Sequence, residues 1–115
     1  MKIYVAGPLT AETDEKIMEN VQFAIEVGRR LMQKGHLVFI PHLFHFMDPC
    51  TTTGDAQNWS FAQWMAFDLA WVRECDALFC ISSSQGTNME VIEAGRYGKP
   101  IFHSINEVPD LRCIL

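Results

Sequence analysis

The sequence predicts a small α/β domain built on a parallel, doubly wound sheet. Three observations predict it. Short β-type runs alternate with helical patterns in the order β-α-β-α-β-α-β, which requires parallel strands joined by crossover helices. The chain has 115 residues, which suits one domain, so 1–115 is read as a single unit. Apolar residues make up 49% and charged residues 20%, the balance of a globular protein with a real but small core.

The elements follow in order. Residues 2–6, KIYVA, are a strand-like run ended by Gly7-Pro8. Residues 14–34 read as a long helix, with Ile17, Val21, Ala24, Ile25, Gly28, Leu31 and Met32 on one stripe. Thr13 is the expected N-cap, Asp14 and Glu15 fill the first turn, and Gly35 is the expected stop. Residues 36–40, HLVFI, are a second strand closed by Pro41. Residues 41–57 show neither period, and a loop this long in a small domain is expected to be functional. A second helix over 59–74, a third strand over 76–81, a third helix over 88–98 and a fourth strand over 100–103 complete the alternation, and the last dozen residues are ambiguous. In the common strand order 2-1-3-4, ligands bind beyond the carboxyl ends of strands 1 and 3, where the chain leaves in opposite directions. The loops 7–10 (GPLT) and 82–86 (SSSQG) would meet there.

Composition excludes several classes of function. The net charge is −5 and the only adjacent basic pair is Arg29-Arg30, so no nucleic-acid partner is expected. No apolar run is long enough to span a bilayer and no leader is evident, so a cytoplasmic protein with no membrane partner is expected. The cysteines at 50, 75, 80 and 113 form no C-x-x-C, so they read as reduced thiols. His42-x-x-His45 lacks an evident third ligand, and no metal or other cofactor is expected. His36 and His103 read as structural.

Two carboxylates stand out. Thr87-Asn88-Met89-Glu90 fits a capping box, in which Glu90 would reach back to the amide of Thr87. The rival reading makes the Ser/Gly turn an anion nest, with Ser84 and the Gly86 amide as donors and Glu90 free for chemistry. Asp68 lies on an apolar stripe with Phe61, Trp64, Met65, Trp71, Val72 and Cys75, and a carboxylate there must find a partner or shift its pKa. The helix around it is apolar nearly all round, which suggests that one face meets a second subunit. Glu93 is the fallback carboxylate or a solvated position. Asp76 is expected to satisfy backbone groups at the start of strand 3. Trp59, Trp64 and Trp71 read as core or interface, with Trp64 able to reach a lid. A pair of carboxylates at a switch-point pocket suggests glycosidic chemistry, with one attacking an anomeric carbon and the other placing the sugar or moving protons.

The segments IYVAGPLT (3–10), DLAWVRECDALFCI (68–81) and SSSQGTNMEVIEAGRYGKPI (82–101) resemble the nucleoside 2-deoxyribosyltransferase-like superfamily, which includes deoxyribosyltransferases and nucleoside 5′-monophosphate N-glycosidases. The resemblance implies a flavodoxin/Rossmann-like fold, Glu90 as nucleophile and Asp68 as the second catalytic carboxylate. It also implies a substrate site at Tyr4, Gly7, Pro8, Ser84, Gly86 and Asn88. A homodimer or higher homo-oligomer and a nucleoside or nucleoside monophosphate as partner follow from the same likeness. In the monophosphate hydrolases Ser-x-Gly, here Ser84-Gln85-Gly86, holds the 5′-phosphate. The chain departs from them at Gly7-Pro8-Leu9-Thr10, where Pro8 has no N–H to donate. The expected function is therefore cleavage or transfer of an N-glycosidic bond through Glu90, hydrolysis favoured over base exchange. A non-catalytic nucleotide-binding module, or a structural subunit of a larger assembly, is the alternative.

Overall fold

A computed structural model describes residues 1–47 and 59–113. It holds four parallel strands in the order β2-β1-β3-β4: β1 Lys2–Ala6, β2 Leu37–Phe39, β3 Ala77–Cys80 and β4 Ile101–Phe102. Three helices connect them, α1 Asp14–Gln33, α2 Phe61–Glu74 and α3 Gln85–Arg96. The α/β, doubly wound class is as the alternation of periods requires, and the strand order is the common one expected for it. The central pair β1–β3 is in register from Ile3 opposite Ala77 to Ala6 opposite Cys80.

The period of two in the strands divides the core. Ile3, Val5, Ala77 and Phe79 face one side, where they pack with Ala24, Val27 and Leu31 of α1 and with Val108. Tyr4, Ala6, Leu78 and Cys80 face the other, where Val72 and Cys75 from the end of α2 and Ala94 of α3 cover them. Fully burying an aliphatic side chain stabilises by about 1.5–3 kcal/mol, and Ile3, Val5, Leu31 and Leu78 are all completely buried. At Gly28 α1 packs closely on the chain after β2: a Cβ there would stand 2.5 Å from Ile40 Cδ1 and would have to turn that side chain aside.

Local chemistry sets most boundaries. Thr13 accepts the Lys16 N–H and caps α1, and Gly35 takes φ +94° just beyond its end. Met32, expected on the buried stripe, is 60% exposed, and Val27 takes its place. Asp76 Oδ2 accepts the Lys2 N–H, the backbone role expected of it. No capping box forms at Thr87–Glu90; one forms at Ser60–Gln63, where Ser60 Oγ accepts the Gln63 N–H and Gln63 Oε1 accepts the Ser60 N–H, and another at Ser104–Glu107.

Two segments without a clear period are also helical. Pro41–Met47 forms a 3-10 helix, whereas 48–57 of the expected loop lies outside the described residues. Short 3-10 turns at Ile105–Glu107 and Leu111–Cys113 occupy the ambiguous tail. Cys75 and Cys80 are buried free thiols. Among the described residues, no helix is long and apolar enough to cross a membrane.

Candidate active site

A cleft of about 560 Å³ opens at the carboxyl ends of β1 and β3, the switch point of the sheet and within the size range of small-molecule sites. Gly7, Leu9 and Thr10 reach it from β1, Ser84 from β3, and Gly86, Thr87 and Glu90 from the first turns of α3. Asp68, Met65, Trp64 and Phe61 reach it from α2, with Trp59 just before that helix. Pro41 and His42 close the side beyond β2.

The register of α3 decides what Glu90 can do. Ser84, not Thr87, is the N-cap, and the helix starts at Gln85 rather than 88. Ser84 Oγ accepts the Thr87 N–H at 3.1 Å and donates its proton to Thr87 Oγ1 at 2.8 Å. The capping-box reading of Glu90 is thereby overturned. As the sixth residue of the helix, beyond its first turn, Glu90 has no orphan amide within reach to satisfy. Instead its side chain is 5% exposed and Oε2 has no hydrogen-bond partner.

Burial pushes the Glu90 carboxyl up to about 8; the Tyr4 hydroxyl pulls part of the way back, and Asp68 adds to the rise. Tyr4 projects from β1 beneath the cleft and is fully buried. Its hydroxyl, like Glu90 Oε2, makes no fully formed hydrogen bond, yet it stands toward Glu90 as a hydrogen-bond donor, which is how it lowers the carboxyl. Burial raises the Tyr4 pKa well above the usual phenol value, with Glu90 and then Asp68 adding to it. Asp68 is half-buried, and burial raises it to about 7. The cleft thus holds two carboxylates that retain protons near neutrality, one of them almost out of water.

The expected site residues fall into two groups. Gly7, Asp68, Ser84, Gly86 and Glu90 line the cleft together. Tyr4 lies behind Glu90. Pro8 is outside the lining, and its carbonyl accepts the His42 Nε2–H at 3.1 Å. Asn88 is exposed and off the cleft. Gly7 also has a packing reason to lack a side chain, since a Cβ there would meet Ile81 at 3.0 Å. At Gly86 a Cβ would approach Met65 Sδ at 3.4 Å, where the start of α3 closes on α2. Glu93 is neither free nor solvated: it is 6% exposed and ion-paired to Arg73 at 2.9 Å and Arg96 at 3.5 Å.

Sequence reasoning missed much of the cleft wall. The Asp68 stripe changes character along α2. Phe61, Trp64 and Met65 line the cleft, whereas Val72 and Cys75 enter the core. Trp71 stacks on Phe39 at 4.6 Å and stays 40% exposed. Trp59 and Trp64 pack at 4.8 Å as one edge of the opening. His42 was weighed only as a metal ligand; it is 2% exposed, and burial lowers its pKa. The available clue was its place one residue past Pro41, at the carboxyl edge of β2.

The architecture has a counterpart among solved structures. A 2-deoxyribosyltransferase from the psychrotolerant bacterium Bacillus psychrosaccharolyticus superposes with a TM-score of 0.61 at 26% identity, over 88% of this chain and 69% of that one. No curated protein matches the sequence. The family model for a domain of unknown function, DUF7768, matches residues 1–104, and the chain belongs to that family.

Proposed function

We propose that the protein cleaves the N-glycosidic bond of (deoxy)nucleosides or their 5′-monophosphates, with Glu90 as nucleophile. The observation that carries this reading is a nearly buried carboxylate with no ion-pair partner, beside a second proton-retaining carboxylate, on the wall of a cleft large enough for a nucleoside. The likeness to a 2-deoxyribosyltransferase supports glycosyl transfer as the reaction class.

In this reading the Glu90 carboxylate attacks C1′ as the base departs, forming a glycosyl ester. Asp68, which burial keeps partly protonated near neutrality, gives its proton to the leaving base or holds a sugar hydroxyl. With Glu90 raised to about 8 and Asp68 to about 7, a single proton in the cleft rests mostly on Glu90, so attack uses the minority form in which Asp68 holds the proton and Glu90 is ionised. Tyr4 steadies the charge on Glu90 from beneath. Trp59, Phe61 and Trp64 give the planar base an aromatic wall. Water then attacks C1′ to complete hydrolysis, or a second base attacks to complete exchange. Hydrolysis is the simpler outcome, and the deoxyribosyltransferase likeness favours exchange as the second reading. The exposed Phe61, Ala62, Ala66 and Ala70 of α2 form the face that would meet a second copy of the chain.

The test is chromatography of free base after incubation with a panel of nucleosides and 5′-monophosphates, with and without an acceptor base. Release in water alone identifies a hydrolase, and release only with acceptor identifies a transferase. Nucleotide binding without release by the folded protein would leave a binding module instead.

A further inference from the structure

The cleft offers a nucleoside much and a phosphate little. None of its lining residues is Lys or Arg, and His42 is held neutral by burial with its Nε2–H spent on the Pro8 carbonyl. The other cationic side chains of the chain are placed elsewhere. Arg29 and Arg30 pair with Glu26, Arg73 and Arg96 with Glu93, and Arg112 with Asp110. Lys34 Nζ donates to the Ile105 and Val108 carbonyls, and Lys99 Nζ to those of Arg73 and Cys75. Lys2 starts β1 and so stands about 13 Å from the cleft end of that strand. Lys16 pairs with Glu19 on an exposed helix start that also carries Glu12, Asp14 and Glu15. Residues 48–58, DPCTTTGDAQN, contain no Lys or Arg and add two aspartates.

The neutral donors are depleted too. The Ser84 hydroxyl is committed to Thr87 by two hydrogen bonds, the Thr87 amide is used by that cap, and the Asn88 amide bonds the Ser84 carbonyl. Pro8 has no N–H. The amides of Gln85 and Gly86 and the hydroxyls of Thr10 and Thr87 remain, neutral donors that suit a sugar hydroxyl but bring no charge to a phosphate. A phosphate monoester carries about −1.5 to −2 at neutral pH. It would lie in one cleft with Asp68 and Glu90, disfavouring the ionised Glu90 that attack requires.

We propose that the cleft selects the nucleoside with a free 5′-hydroxyl and rejects the 5′-monophosphate. Its lack of any lining cation, the committed Ser84 hydroxyl and the missing amide at Pro8 are the determinants. This inference rests on the glycosidic reading of the cleft given above.

The experiment measures kcat/KM of the intact protein for the four common 2′-deoxynucleosides and their matched 5′-monophosphates, with acceptor base present. Calorimetric binding of both sets to Glu90→Gln accompanies it. Two carboxylates in the cleft disfavour a third anionic group beside them, so each nucleoside that reacts should exceed its monophosphate by about 100-fold. A lysine at the cleft rim, Thr10→Lys, should raise monophosphate kcat/KM roughly fivefold to tenfold, the worth of one partly exposed charge. Monophosphates used as well as or better than nucleosides overturn the inference while leaving the glycosidic reading intact. If neither set is turned over or bound, the glycosidic reading fails and takes this inference with it.

Discussion

Glu90 and Glu93 lie one turn apart on α3 and are equally buried, yet their surroundings are opposite. Glu93 faces α2 and is neutralised by Arg73, which reaches it from 20 residues earlier, and by Arg96 one turn along. Glu90 faces the cleft, and its nearest ionisable neighbours are another carboxylate and a phenol. Neutralisation by cations makes the first a structural tie between helices. Its absence makes the second a group held in an unfavourable state by the rest of the fold. Buried carboxylates with perturbed pKa values cluster at functional sites, and the contrast within one helix makes Glu90, not Glu93, the candidate for such a role.

The largest effect expected is on Glu90. Replacing a nucleophile removes the covalent route, so Glu90→Gln should lower kcat for base release by about 10³-fold or more. The same substitution should raise stability at alkaline pH. In the folded protein Glu90 keeps its proton up to about 8, against an ordinary 4.5. Between those values the native state binds more protons than the unfolded chain, so wild-type stability falls as pH rises through that window. Glutamine cannot ionise and escapes this loss. Denaturant unfolding at pH 9 should find Glu90→Gln more stable than wild type by on the order of 4–5 kcal/mol, with the difference vanishing near pH 4. A variant less stable than wild type at every pH would show that Glu90 has a structural partner, and the comparison with Glu93 would collapse.

Asp68→Asn comes next. Losing a positioned proton donor should cost about 10²–10⁴-fold in kcat. Because Asp68 raises the Glu90 pKa, the alkaline shift of Glu90 should shrink in the variant. The pH–rate profile of the wild type should be bell-shaped around 7–8, where one carboxyl is ionised and the other protonated, and Asp68→Asn should flatten its alkaline limb.

Glu93 should behave in the opposite sense. Glu93→Ala strands Arg73 and Arg96, but Arg73 is 42% exposed and rehydrates in part. The expected cost is therefore about 1–2 kcal/mol rather than the full 3–5 kcal/mol of a wholly buried pair. A double-mutant cycle with Arg73→Ala should return most of that figure as coupling, with kcat nearly unchanged.

The sequence made the fold legible because its two periods are clean. β1 and β3 alternate between two cores, and the α1 stripe faces one of them. Ser84, Gly86 and Glu90 were legible as cleft residues because the switch-point rule places whatever follows β1 and β3 at one spot, and Asp68 because a carboxylate stands alone on an apolar helical stripe. Three things were not legible. Arg73 is distant in sequence, so no local pattern could pair it with Glu93. The aromatic wall was hidden because an apolar stripe looks the same whether it faces a core or a cleft. Asn88 is exposed and off the cleft, because it lies on the α3 face turned away from Glu90.

The smallest effect concerns where α3 begins. Two hydroxyls, Ser84 and Thr87, are candidates for the cap, and each makes a sensible local pattern. Tertiary structure chooses Ser84, because starting the helix at Gln85 puts Glu90 above Tyr4 and Glu93 against Arg73, whereas a start at 88 would bring Glu90 back to the helix end. Ser84→Ala removes the acceptor for the Thr87 N–H and should cost about 1 kcal/mol, read as a lower denaturation midpoint with unchanged slope. Ser84→Asp keeps an acceptor for that amide and should restore most of the loss. Thr87 is 1% exposed, so Thr87→Val, which keeps the volume and removes the hydroxyl, tests the other half of the pair. Its hydroxyl only accepts from Ser84, so the loss should be smaller than for Ser84→Ala. If Thr87→Val were the more damaging of the two and Glu90→Gln added nothing to it, Thr87 and Glu90 would be acting as a capping box, and Glu90 would be a carboxylate serving the helix rather than the cleft.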